Sequence, residues 1–361
     1  MRFNDLKLAH ARYAAAIERR MQAVLAHAQF IMGPEVFELE LALREVVGAR
    51  HAVSVGNGTQ ALELSLRALG VGQGDEVITP AFSWISSAEV VCLVGAKPVF
   101  IDIEPAGFTL DAELLERAIT PRTRAIIGVS LFGQAANFEA ITAIASAHGL
   151  SVIEDGAQSF GATRRGSASG SLTRIGCTSF FPSKPLGCYG DGGAIFTSDD
   201  ELAERLRALR AHGSTDRVEH RLVGTNARLD TLQAAVLLAK LPHYAADLAA
   251  RARLAERYSR ALSGTFEVPG VLPGNTHVYA QYTLRHPRRD ALAEGLAARG
   301  VPTQVHYRRG LHQQPVFGAR ALTLPQTEKA AREVLSLPLY VGLSDADQDR
   351  VIEALLELAG A

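Results

Sequence analysis

The chain has 361 residues, with 37 basic and 38 acidic side chains and a formal net charge of −1. That balance excludes the electrostatic footprint of a nucleic-acid binder and the polybasic arm of a membrane-surface protein. The length allows a large core or two domains, and the expectation is a soluble, cytoplasmic protein without a membrane partner. Cys92, Cys177 and Cys188 show no metal-ligand spacing and are expected as reduced thiols, with no metal bound.

Helical spacing of Ala and Leu predicts a helix over 5–29, broken at Ile31-Met32-Gly33-Pro34 and restarted over 35–47 with Pro34 near its first turn. The break reads as a helix corner or as a loop facing a ligand, with Met32 at its centre. From His51 the rhythm changes to short apolar strands (51–55, 76–79, 98–102, 125–130, 152–155, 177–180, 193–197). Helices separate them at 58–69, 87–94, 110–119 and 138–148. Continuously apolar strands alternating with helices predict an α/β fold with a mostly parallel sheet covered on both faces. Residues 200–212 read as a charged helix and 213–226 as an exposed loop with Arg217, His220 and Arg221. An apolar helix follows over 229–241 and a long amphipathic one over 244–262. The remainder reads as strands at 276–284 and 302–307 with helices at 288–299, 326–336 and 344–359. Ser344 and Asp347 form a capping-box-like start to the last of these. The expected division is a large domain over 1–243 and a smaller α+β domain over 244–361.

Three stretches carry candidate chemistry. Gly56-Asn57-Gly58-Thr59 follows a strand and opens a helix, where free N–H groups and the helix dipole make an anion site; taken alone, a plain helix cap is the commoner reading. Asp155 ends an apolar strand, where ligand crevices of α/β sheets lie. There it is able to hold a pyridine nitrogen protonated or merely to cap the next turn. Gln158 is placed to donate to a ring's phenolic oxygen. Ser179 ends another strand and offers a hydroxyl to a phosphate. Lys184 sits in a rigid turn between Pro182 and Pro185, with a Gly-rich return. Taken alone it reads as a surface lysine; desolvated, its amine suits Schiff-base chemistry. Trp84, the only tryptophan, reads as packing or as a platform for a planar ring. His306, Tyr307, Arg308 and Arg309 cluster at the end of an expected strand, and the arginines are either solvated surface or a grip for a diphosphate or carboxylate. No Gly-x-Ser-x-Gly elbow supports a hydrolase.

Read together, these segments resemble the DegT/StrS family of pyridoxal-phosphate-dependent nucleotide-sugar aminotransferases. The resemblance rests on Phe3-Asn-Asp-Leu-Lys7, Ile31-Met-Gly-Pro-Glu-Val36, Gly56-Asn-Gly-Thr-Gln-Ala61, Glu154-Asp-Gly-Ala-Gln-Ser159, Phe181-Pro-Ser-Lys-Pro-Leu-Gly-Cys-Tyr-Gly-Asp-Gly-Gly193, Asn226-Ala-Arg-Leu-Asp230 and Ser336-Leu-Pro338. It implies the aspartate aminotransferase fold (fold type I) and pyridoxal phosphate as cofactor, with pyridoxamine phosphate between half-reactions. By the same resemblance Lys184 is the Schiff-base lysine, Asp155 the partner of the ring nitrogen and Gln158 that of the phenolic oxygen. Gly58, Thr59 and Ser179 would hold the phosphate and Trp84 would stack on the ring. Asn226 would reach the phosphate from a neighbouring subunit of a homodimer, and Arg228 would take the donor's carboxylate. Met32, His306, Tyr307 and Arg308 are the remaining substrate candidates.

Family dehydratases carry histidine where this chain has Lys184, so transamination is implied. The motif around Lys184 is most similar to aminotransferases that use glutamate and UDP-2-acetamido-3-keto-glucuronate in surface-polysaccharide biosynthesis. Many relatives read Tyr-Pro-x-Pro-Leu-His where this chain has Tyr307-Arg-Arg-Gly-Leu-His312, which leaves the acceptor sugar open. The alternatives are a 4-keto nucleotide-sugar aminotransferase, another pyridoxal-phosphate enzyme of the same fold, and a cofactor-binding regulator. The absence of a basic patch disfavours the regulator.

Overall fold

The computed structural model describes residues 1–214, 216, 218–318 and 322–360; Arg217 of the expected loop lies outside them. Two helices open the chain, α1 (Leu6–His27) and α2 (Pro34–Val47). Asp5 caps α1 by accepting from the Leu8 N–H, and Pro34 stands at the first helical position of α2, where a missing N–H costs nothing.

The alternating region follows: β1 (His51–Val55), α3 (Gly58–Ala68), β2 (Glu76–Pro80), α4 (Ser86–Leu93), β3 (Lys97–Ile101), α5 (Ala112–Ala118), β4 (Thr123–Val129), α6 (Phe138–Ala147) and β5 (Ser151–Asp155). A two-residue hairpin, β6 (Thr163–Arg164) and β7 (Ser167–Ala168), precedes β8 (Ile175–Ser179) and β9 (Gly193–Thr197). Then come α7 (Asp200–Arg210), α8 (Thr231–Lys240), α9 (Tyr244–Leu262), β10 (Tyr282–Arg285), α10 (Arg289–Ala298), α11 (Pro325–Glu333), β11 (Val334–Leu337) and α12 (Asp345–Gly360). Ser344 accepts from the Asp347 N–H at 3.1 Å, as its spacing predicts.

Seven strands form one sheet in the order β1-β9-β8-β5-β4-β2-β3. The pairs β2–β3, β2–β4, β4–β5 and β5–β8 are parallel, and β9 runs antiparallel to both neighbours. The sheet is buried on both faces, which is why its strands read as unbroken apolar runs. Leu62, Leu66 and Leu206 lie in the core on one side, and Phe138, Ile141 and Ala145 on the other. Beyond α8 a separate core joins α9, α10, α12 and the β10–β11 pair through Tyr258, Leu284, Leu296, Leu335 and Leu355.

The C-terminal third departs from the expected pattern. Residues 276–281 form no strand, because their polar groups are engaged elsewhere. The N–H groups of Thr276 and Val278 donate to the carbonyls of Thr163 and Gly133, and Arg251 takes the carbonyls of Val278, Tyr279 and Ala280. Residues 302–307 likewise form no strand; Gln304 makes a single bridge to Ser336. The helix expected over 326–336 ends at Glu333, and Val334–Leu337 pairs with β10 instead.

Candidate active site

Parallel strands bring their C-terminal ends to one edge of the sheet, and α3 starts at that edge after β1. Asp155 is the last residue of β5 and Ser179 the last of β8. Gly58 opens α3 against Ser179, where a Cβ would lie 2.8 Å from the serine Cβ. Only glycine permits that approach. Asn57 caps the helix by accepting from the Gln60 N–H at 2.8 Å. The N–H groups of Gly58 and Thr59 lie in the first turn, where a helix supplies no acceptor, so they face the sheet edge as anion donors. The Thr59 and Ser86 hydroxyls meet at 2.7 Å beside them.

Asp155 is buried, 6 % exposed. Its carboxylate accepts from the Ser87 hydroxyl at 2.8 Å and from the Ala157 N–H at 3.2 Å. Burial raises its pKa, against those two bonds and the charge of Lys184. Among the described residues it makes no ion pair at all. A buried carboxylate so placed fits a protonated ring nitrogen, whose positive charge would offset the desolvation.

Lys184 is half-buried in the turn between β8 and β9, where its N–H donates to the Phe181 carbonyl at 2.8 Å. Protein surrounds the amine, and that desolvation lowers the ammonium from its ordinary value to about 8, with Asp155 acting in the opposite sense. The neutral amine is therefore far more populated near pH 7 than in an ordinary lysine, as a nucleophile or proton carrier requires.

Gln158 is held at both ends. Its Oε1 accepts from the Phe132 N–H at 2.9 Å, and its Nε2 donates to the Tyr307 hydroxyl at 3.2 Å. One amide N–H remains for a ligand oxygen. Tyr307 meets Phe82 and Trp84 at ring-centroid distances of 6.0 and 6.1 Å, so an aromatic wall stands beside the carboxylate. Trp84 itself is 59 % exposed, a platform rather than a core residue. His306 is linked through Nδ1 to the Ser336 hydroxyl at 3.0 Å, and burial together with the charge of Lys184 holds its pKa near 4. It is a neutral imidazole at physiological pH. The set offers an anion cradle, a carboxylate for a cationic ring, an amide for a phenolic oxygen and a depressed lysine. Pyridoxal phosphate has each of the complementary groups.

The DegT/DnrJ/EryC1/StrS aminotransferase family profile matches residues 12–356. The chain belongs to that family. It is 51 % identical, over 98 % of its length and 99 % of the other's, to the UDP-2-acetamido-2-deoxy-3-oxo-D-glucuronate aminotransferase of Pseudomonas aeruginosa. Among solved structures it is similar to S. venezuelae DesV in complex with a ketimine intermediate, with a TM-score of 0.97, 41 % identity and coverage of 100 % of this chain and 98 % of that one. Bacillus subtilis NtdA with bound cofactor PMP superposes with a TM-score of 0.91 at 32 % identity, covering 97 % and 82 %. The protein is a pyridoxal-phosphate-dependent sugar aminotransferase of fold type I. No helix among its described residues is long and apolar enough to cross a membrane.

Other predicted residues of this aminotransferase have surroundings of their own. Asn226 is exposed, its main chain bridged to Ala211, although the next carbonyl, of Ala227, accepts from the Gly56 N–H at 2.9 Å. Met32 and Arg228 share a separate cavity of about 510 Å³ with Arg210, His212 and His220. Arg308 is turned to the surface, 3.3 Å from Asp290. Ser87 and the Gln158–Tyr307 bond are site features that sequence reasoning missed. The serines flanking Trp84 in the loop after β2 were the available signal, since a βα loop at a sheet's C-terminal edge faces the ligand crevice.

Proposed function

We propose that the protein moves an amino group from glutamate to C3 of UDP-2-acetamido-3-keto-glucuronate, as a homodimer, in the biosynthesis of a surface polysaccharide. The observation that carries the substrate is the end-to-end match, at 51 % identity, to a relative named for that sugar. The observation that carries the chemistry is the buried carboxylate of Asp155, held by Ser87 and Ala157 and without an ion pair among the described residues, at the same sheet edge as the Gly58 helix start.

When bound, the cofactor supplies an aldehyde to carry the amino group and a ring that draws electrons from the substrate carbon. Lys184 would hold that aldehyde, and its free amine would carry the proton between the substrate carbon and the cofactor. Asp155, fixed by Ser87 and Ala157, keeps the ring nitrogen protonated. Gln158, fixed by Phe132 and Tyr307, orients the ring through its phenolic oxygen. Gly58, Thr59 and Ser179 would hold its phosphate, and Trp84 would stand beside its ring. Asn226 and Arg228, exposed or turned to the second cavity, act on the partner's site.

The test is release of 2-oxoglutarate by purified holoenzyme given glutamate and one of two acceptors, the 3-keto uronate or a 4-keto-6-deoxy nucleotide sugar. Turnover with the first alone is expected. Turnover with the second alone would replace the proposed acceptor and leave the aminotransferase chemistry standing.

A further inference from the structure

Residues 180–192, which carry Lys184, belong to no helix or strand. Within the turn the Lys184 and Cys188 N–H groups donate to the Phe181 and Phe180 carbonyls, and contacts from outside fix it against the rest of the fold. Gly187 packs back onto the turn so closely that a Cβ there would lie 2.5 Å from the Pro182 carbonyl oxygen and 2.8 Å from that of Phe181. Any shift at Gly187 is thus passed to Pro182-Ser183-Lys184. The Gly187 carbonyl accepts from the Lys240 ammonium at 2.5 Å. The same ammonium lies 4.6 Å from the centroid of the Tyr189 ring, within range of a cation–π contact. Tyr189 is secured at its other two polar groups. Its N–H donates to Gln233 Oε1 at 2.8 Å, and its hydroxyl meets His10 Nδ1 of α1 at 2.6 Å.

Gln233 and Lys240 are seven residues apart on α8, so they lie two turns apart on one helix face. That helix is rigid support: Ala234, Ala235, Val236 and Leu237 are buried within it. Burial also lowers the Lys240 ammonium to about 8, a cost that a solvated lysine would not bear. The charge is retained where two acceptors, a carbonyl and a ring face, converge on it.

We propose that Lys240 is a positioning residue for Lys184, fixing the lysine-bearing turn against α8 through the Gly187 carbonyl and the Tyr189 ring. This rests on Lys184 being the lysine that holds the cofactor. An amine that must reach the reacting carbon tolerates little displacement, since an error of about 1 Å costs on the order of 10²-fold in rate.

The test uses holoenzyme carrying Lys240→Met, Lys240→Arg or Tyr189→Leu. Three readouts separate positioning from stability alone: the pH midpoint of the cofactor's visible absorbance, amide hydrogen exchange over 183–189, and the division of the loss between kcat and KM. Lys240→Met is expected to move the midpoint by about half a pH unit or more and to speed exchange in the turn roughly tenfold. It should lower kcat about 10- to 100-fold with KM within about twofold. Lys240→Arg should restore most of each, and Tyr189→Leu should shift each the same way by less. An unmoved midpoint and unmoved exchange in Lys240→Met overturn the proposal. If that variant yields no folded holoenzyme, the same result in Tyr189→Leu overturns it. A cofactor adduct on a lysine other than Lys184 would instead remove the reading on which it rests.

Discussion

Asp155 is the residue whose surroundings most constrain the chemistry. It lies at the end of a buried strand, takes two hydrogen bonds and has no cation of its own among the described residues. Asparagine is nearly the same shape and its single oxygen keeps either the Ser87 or the Ala157 bond, but it cannot hold a ring nitrogen protonated. Asp155→Asn is therefore expected to lower kcat by about 10²–10³-fold, the scale for losing one preorganised electrostatic group. The melting temperature should not fall by more than a few degrees, because a buried charge is removed rather than exposed. Unchanged kcat in a variant that binds cofactor would contradict the assignment. The places of Asp155 at a strand end, Gly58 at a helix start, and Gln158 and Lys184 in the turns after β5 and β8 were legible in the sequence because each lies inside a dense local motif. Ser87 was not, because its bond to Asp155 spans 68 residues and no local pattern reports it. Tyr307 was singled out, but not its bond to Gln158, for the same reason.

At the scale of elements, the strands and helices of the main sheet were readable up to β9, though not the short β6–β7 hairpin, because the sheet's strands are mostly buried and its helices carry an apolar face. The reading failed where long-range polar contacts override propensity. Thr276 to Gln281 looks like a strand, yet Tyr279 lies at φ 48 and Arg251 takes the carbonyls that a ladder would need. Val334–Leu337 looks like the end of a helix, yet β10 offers it a partner. The edge of the main sheet carries a testable charge cluster. Glu76, at the start of β2 and 2 % exposed, accepts from Thr120 at 2.7 Å, Arg122 at 2.9 Å and Lys97 at 3.1 Å. These contacts, the Thr120 bond foremost, lower its pKa from an ordinary 4.5 to about 2. Because the folded value lies below the unfolded one, Glu76 stabilises the fold above about pH 4.5 and loses that contribution as pH falls toward 2. Glu76→Gln should melt below wild type at pH 7, with the gap closing across that window in scans at graded pH. A gap independent of pH would contradict the argument.

At the scale of the whole molecule, one chain presents Lys184 with its carboxylate and aromatic wall, while Asn226 and Arg228 lie exposed or in another cavity. The homodimer we propose accounts for that separation by sending those residues into the partner's site. It predicts subunit complementation. Lys184→Ala and Asn226→Ala should each be nearly inactive alone. After mixing and subunit exchange they should recover about a quarter of wild-type activity, since half the dimers would be mixed and each would hold one intact site. Absence of recovery, with exchange verified by mass, would place Asn226 in its own chain's site. The family resemblance of the Asn226 motif implied this arrangement, but the spatial separation was not legible from local motifs, because distances between segments that do not share an element are set by the fold.

The central claim is that Lys184 is the lysine that binds the cofactor. Borohydride reduction of the holoenzyme followed by peptide mass spectrometry tests it directly, because reduction makes the lysine–cofactor bond permanent. A single pyridoxyl phosphate adduct on Lys184, lost in Lys184→Ala, is expected. An adduct on any other lysine, or its persistence in that variant, would contradict it.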